Sequence, residues 1–233
     1  MNRFFIAAIL LMLSLSRHAY AQSAAILKDS AAIGPEYYVL EELRLDPKYE
    51  SAKQIYKRIR SGSGVMESAI SLPPEQRLRI KKDTLLALTA EGTLREAGYG
   101  FEHYRIHFDR YGLLNLSVDI QSHGSPFESS RSWCFDISSG KETGRGLFIR
   151  HKKLLKAITK KLQGQYATLK AELNDLDSFE IIPSGTLIEG VRFLVVDRNN
   201  YKSSGYETAE AYFSLKEIYA YLAPKYREVL AGK

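Results

Sequence analysis

Apolar and polar side chains alternate most regularly in the middle of the chain. Leu114, Leu116, Val118 and Ile120 interleave with Asn115, Ser117, Asp119 and Gln121, the period of two of a strand with one buried face. Tyr104, Ile106 and Phe108 form the matching apolar set before it. Both sets must reach one core, so the pattern predicts a hairpin with Phe108 opposite Leu114 and Ile106 opposite Leu116. That register leaves a three-residue loop, Arg110-Tyr111-Gly112, with Gly112 in the left-handed position. A third strand follows, with Trp133, Phe135 and Ile137 on one face. Ser138-Ser139-Gly140-Lys141 reads as its closing turn.

Elsewhere the period lengthens to that of a helix. Tyr49, Ala52, Ile55, Tyr56 and Ile59 predict a helix over about 49–60, with Lys53, Lys57, Arg58 and Arg60 on its solvated flank. Ser61-Gly62-Ser63-Gly64 should end it and serve as a linker. Pro74-Glu75 opens a second helix running to about Thr89. Residues 151–173 read as one long helix, bent near Gly164, with Leu154, Leu155, Ile158 and Leu162 as its apolar stripe. Its lysine flank, Lys152, Lys153, Lys156, Lys160 and Lys161, reads first as a solvated face and second as a patch for an anionic glycan. Residues 22–34 look like a loose leader, and 36–45 like a first strand or an extended segment. Residues 179–182, 191–196 and 208–213 complete the strands. Ser214 with Glu217 forms a capping box ahead of a closing helix that buries Leu215, Ile218, Tyr219 and Leu222. The expected architecture is α+β: one antiparallel sheet of about five to six strands, helices packed on one face, and an N-terminal helical segment in front.

The first residues add a compartment. Arg3, the apolar run 4–15 and Ala19-Tyr20-Ala21 have the form of a secretory signal peptide spanning 1–21, followed by an N-terminal segment (22–64) and the α+β domain (65–233). No later run approaches transmembrane length. Removing Arg3 and Arg17 with the leader lowers the formal charge from +6 to +4, too weak a basic bias to imply nucleic acid. Cys134 is the only cysteine, so the core must hold the fold without an internal disulfide.

Candidate chemistry is sparse. His107 and Ser117 share the polar face of the predicted hairpin, but diagonal neighbours lie about 7–8 Å apart, and no Gly-x-Ser-x-Gly elbow exposes a serine. His103 and His107 would stand about 13 Å apart along a strand, which does not suit a shared metal. Neither a catalytic set, a metal nor a cofactor is expected. The loop 122–130 is the better candidate. It is long for a hairpin connection and offers His123, Pro126, Phe127 and Glu128 as a binding set, with Phe127 as the apolar anchor.

The run Ser122-His123-Gly124-Ser125-Pro126, then Trp133-Cys134-Phe135-Asp136 through Gly140-Lys141, then Leu147-Phe148 and a helix, resembles a known pattern. It is similar to a domain of unknown function shared by lysozyme-sensing anti-sigma factors and the accessory region of peptidoglycan deacetylases. In that family the loop reads Gly-Gly-Ala-His-Pro, whereas here the double glycine is missing and the histidine is displaced. The resemblance implies an antiparallel α+β fold and binding at the cell wall. The expectation is therefore an exported envelope protein, periplasmic or secreted, that recognises a cell-wall component or a wall-degrading enzyme. The alternative is a hydrolase acting on cell-wall polysaccharide or peptide.

Overall fold

A computed structural model describes residues 22–63, 71–125, 128–202 and 205–231. The expected leader lies outside the described residues. Among them, no helix is long and apolar enough to cross a membrane. The fold is α+β, but its strands form three separate antiparallel sheets of two, three and three strands, not one sheet of five to six. Nor does a helical segment come first. The chain opens with the hairpin β1 (Ala24–Ile33) and β2 (Glu36–Leu45), so 22–34 is paired strand, not loose leader. Its start is pinned by Asp109, which accepts from the Ser23 hydroxyl and, at 2.9 Å, from the Ala24 N–H. Helices α1 (Ala52–Ser63) and α2 (Pro74–Ala90) follow; α1 runs through the small residues expected to end it.

The central sheet is β3 (Gly100–Arg110), β4 (Leu113–Ser122) and β5 (Glu128–Asp136), in that order. Ile106 pairs with Leu116 as the alternation predicts. At His107 the register slips, and Phe108 faces Asn115 instead of Leu114. This bulge shortens the connection to the two residues Tyr111 and Gly112, with φ of 55° and 76°; positive φ at both central positions fits a tight hairpin turn. It also turns β3 over. Tyr104 joins the core of Leu114, Leu116, Val118, Trp133 and Phe135, while Phe108 joins the opposite core with Leu113 and Cys134.

The second core exists because β4 is buried on both faces from Leu113 to Asp119, not on one. The apolar face packs on α1 and on Leu43 and Leu45 of β2. The polar face meets β6 (Phe179–Ser184), the first strand of the third sheet, which continues through β7 (Leu187–Lys202) and β8 (Gly205–Ser214). Asn115, 0% exposed, makes that joint. Its amide donates to Trp133 O (2.9 Å) and Phe179 O (3.0 Å), and its Oδ1 accepts from Ile181 N (2.7 Å). Helix α3 (His151–Leu162) covers the third sheet and ends before Gly164, much earlier than expected, because the apolar stripe stops at Leu162. The closing helix is likewise broken. The Ser214–Glu217 capping box opens a short α4 (Leu215–Ile218), and Pro224 begins a separate α5 (Pro224–Ala231).

Between β2, α1, α2 and β3 lies a buried charge cluster that local sequence did not suggest. Glu42, 1% exposed, accepts two bonds from Arg60 (3.0 and 2.8 Å) and one from Arg77 Nε (3.1 Å), and pairs with Lys81 Nζ at 2.8 Å. Lys81 also reaches Glu102 at 2.5 Å and Glu41 O at 2.7 Å. Arg60, expected on the solvated end of its helix, is buried here because a strand carboxylate receives it. The three cations together outweigh the penalty of burial and hold the Glu42 carboxyl below its ordinary value.

Candidate functional site

One candidate surface lies where β2, β3 and β4 emerge from the core. In β2 the alternation places Tyr38 with Leu40 towards α2, while Tyr37 and Val39 take the other face. Among the described residues that other face stays open near the hairpin turn, with Tyr37 70% and Val39 40% exposed. Tyr38 stacks on Phe101 of β3, centroids 5.2 Å apart and planes 11° from parallel. Tyr99 meets the same ring edge-on at 5.0 Å. His123 closes the set from the β4–β5 loop, 6.0 Å from Tyr38 and 6.4 Å from Phe101.

The loop is held to the sheet by its own backbone. His123 N donates to Tyr99 O (2.7 Å), Ser125 N donates to Ser122 O (3.0 Å), and Gly124 takes φ of 72°. The result is a groove of about 460 Å³ between the hairpin turn and this loop, with His103, Gln121 and Glu36 adding polar edges to the aromatic walls. Glu36 accepts from the Tyr38 hydroxyl and raises its pKa. Aromatic faces beside imidazole, amide and carboxylate groups suit a ligand with both apolar faces and hydroxyl or amide edges.

Of the four residues expected to bind, His123 is placed in this groove. Pro126 and Phe127 lie outside the described residues. Glu128 opens β5, its backbone opposite Gln121, and its side chain is also outside the description. The aromatic partners of His123 come from β2 and β3, which sequence reasoning left out of the site. The available signal was Tyr37-Tyr38-Val39 directly after the Gly34-Pro35 turn.

A second cluster corrects an expectation about spacing. The bulge at His107 swings its ring towards β4, so Nε2 lies 2.8 Å from Ser117 Oγ where strand geometry predicted no contact. Glu180 Oε1 stands 3.5 Å from the same nitrogen, and Arg192 binds Glu180 at 3.2 Å. Arg105 pairs with Asp119 alongside. Burial lowers the pKa of His107 in spite of Glu180, which favours neutral imidazole. Serine activation needs the acid on the ring nitrogen that does not face serine. Here both partners share Nε2, and Ser117 is only 2% exposed. The cluster joins β3 and β4 to β6 and β7 and lacks the arrangement of a nucleophile relay. Cys134 is fully buried, which pushes its thiol up to about 12, away from thiolate chemistry at neutral pH. Among the described residues, no group of three His, Cys, Asp or Glu side chains is placed to hold a metal.

No protein-family model and no curated protein sequence matches the chain. Solved structures do. The fold matches that of a DUF3298 family member from Bacteroides fragilis, with a TM-score of 0.52 and 10% identity over 91% of this chain and 98% of that one. It likewise matches a DUF3298 family protein from Pseudomonas aeruginosa, with a TM-score of 0.51 and 11% identity over 87% of this chain and 95% of that one. At such identities the likeness concerns the fold, which is that of a domain of unknown function.

Proposed function

We propose that this chain is an exported protein of the cell envelope that binds a cell-wall component or a wall-degrading enzyme through the His123 groove, with no chemistry of its own. The observation that carries the reading is the groove lined by exposed Tyr37, the stacked Tyr38–Phe101 pair and His123. Exposed aromatic side chains on a rigid sheet edge lose little freedom on binding, and such residues anchor interfaces. The form of residues 1–21 supports export, and the motif likeness to the domain of lysozyme-sensing anti-sigma factors and peptidoglycan deacetylases supports the wall as the setting.

The test is capture of the purified protein on peptidoglycan sacculi and on an immobilised lysozyme. Tyr37→Ala combined with His123→Ala should weaken capture about tenfold while thermal stability stays close to that of the parent. Unchanged capture by the double variant places the binding surface elsewhere. The hydrolase alternative rests on the His107–Ser117 contact, and release of soluble fragments from the same sacculi, abolished by Ser117→Ala, would favour it. Intact mass of the exported form should begin at Gln22; a mature protein that retains Met1 would refute export by cleavage.

A further inference from the structure

Helix α3, which lines no part of the His123 groove, contributes lysines and no acid: His-Lys-Lys-Leu-Leu-Lys-Ala-Ile-Thr-Lys-Lys-Leu. Its apolar stripe of Leu154, Ile158 and Leu162 is spent on the core. Lys152, Lys156 and Lys160 then stand exposed in one line, a turn apart, spaced by about 6 Å along the axis. After the helix the chain folds back along it. Tyr166 N bonds Leu162 O at 2.8 Å, Leu169 is buried, and Ala171 N donates to Thr159 Oγ1 at 3.0 Å. That return brings Lys170 across from Lys156 and Lys160 and leaves a groove of about 380 Å³ between them, floored by Leu155 and Ala171, with Gln163 at one end.

Lys161 is committed to Glu217 at 2.7 Å, and the next acids along the chain, Glu172 and Asp175, pair with Arg198. Among the described residues, no carboxylate pairs with Lys152, Lys153, Lys156, Lys160 or Lys170. Like charges gathered around a concavity repel one another, and an anion placed between them relieves that cost.

We propose that this groove binds a linear anionic polysaccharide, one acidic group to each lysine step. The steps along α3 are close to the length of a sugar ring in an extended glycan. Leu155 and Ala171 offer an apolar floor to the ring face, and Gln163 offers hydrogen bonds to hydroxyls. A single-stranded nucleic acid would call for aromatic rings to stack its bases, and none is among the residues that line this groove; an anionic membrane would call for a flat face with several apolar side chains to insert, and Leu154, Ile158 and Leu162 of α3 are buried in the core. The site is separate from the His123 groove, so either can fail alone.

The experiment is calorimetric titration of the purified chain with oligogalacturonate, using neutral dextran as the control. Binding is expected for the acidic glycan only, weakening about tenfold between about 50 and 200 mM salt. Lys156→Glu combined with Lys160→Glu should abolish it, and the uncharged Lys156→Gln/Lys160→Gln pair should weaken it about tenfold. Lys57→Glu, on an exposed site of α1, should leave it unchanged. All three altered side chains are exposed, so melting curves will confirm that the variants are folded. Absence of binding at low salt, binding that survives in both lysine pairs, or equal affinity for oligothymidylate or phosphatidylglycerol vesicles through the same lysines would overturn the proposal.

Discussion

Replacing Glu42 by glutamine preserves the size of the side chain and removes its charge. In the parent, one carboxylate faces Arg60, Arg77 and Lys81 at 2.8–3.1 Å, all of them buried. After the change Lys81 keeps Glu102, and Arg77 keeps the carbonyls of Leu72 (2.7 Å) and Leu43 (3.2 Å). Arg60 loses a two-pronged carboxylate in a site closed to water. Removing one partner of a buried pair costs about 3–5 kcal/mol, because the remaining charge stays desolvated. Glu42→Gln should therefore lower the free energy of unfolding by about that amount in urea titration, with a cooperative transition retained. Arg60→Met added to it should cost less than the sum of the two single changes, since both remove the same Glu42–Arg60 interaction. The pH dependence has a definite sign. Glu42 is depressed below its ordinary value of 4.5, so its contribution is complete above that value and is lost as pH falls through the lower folded value. The parent should lose stability on acidification below about 4.5, and Glu42→Gln should lose less over the same interval. A cost below about 1 kcal/mol, or an acid profile identical to the parent's, would refute the view that Glu42 holds the cluster together.

Two further substitutions test the joints of the fold. Asn115→Ala leaves Phe179 O and Ile181 N without their side-chain partner inside the protein and should cost about 3 kcal/mol by chemical denaturation; a change under about 1 kcal/mol would mean β6 is held to β4 by packing alone. Gly190→Ala would drive a methyl into Phe213 O of the neighbouring strand, so it should cost about 3 kcal/mol or prevent expression of folded protein, and a parent-like melting curve would contradict the β7–β8 register.

The parts of this fold that sequence made legible are those written in a local period. The strands around Tyr104–Phe108, Leu114–Ile120 and Trp133–Ile137, the stripe of α3 and the Ser214–Glu217 cap all announce themselves within a dozen residues. The His107 bulge does not, because an alternating strand on either side of a slip still alternates. Gly112 could not decide the loop length either, since it takes positive φ in both the two-residue and the three-residue turn. Tyr111, with φ of 55°, distinguishes them, and tyrosine carries no signal for that conformation. Burial of the polar face of β4 was hidden for a different reason. Asn115, Ser117 and Asp119 read as a solvent face until β6, more than 60 residues after Asn115, is seen to supply the partners of Asn115, while His107 and Arg105 of β3 take Ser117 and Asp119. Arg60 was assigned to water by the ordinary exposure of charged residues, and its carboxylate lies 18 positions earlier in β2. At the candidate site His123 was legible as part of a long loop, whereas Tyr38 and Phe101 meet it only through the pairing of separate elements.

The charge cluster and the aromatic groove share their strands, and that gives the cluster a bearing on the binding proposed for the groove. Tyr38 and Glu42 lie on the same face of β2, four residues apart; Phe101 and Glu102 are consecutive in β3. Lys81 of α2 ties Glu42 to Glu102, and Tyr99 donates from its hydroxyl to Lys81 O at 2.8 Å, so the elements that carry Tyr38, Tyr99 and Phe101 are bound through one helical residue. Glu41 adds a second tie by accepting from Tyr104 N at 2.8 Å. Buried ion pairs contribute little net stability compared with apolar packing of equal volume, but their fixed partners and angles allow few alternative registers. A hydrophobic contact between β2 and β3 would tolerate a small slide; the Glu42–Lys81–Glu102 chain tolerates much less. The stacked Tyr38–Phe101 pair stands on the strands fixed by that chain, which is why the aromatic faces of the groove hold a set geometry, as the proposed binding role requires.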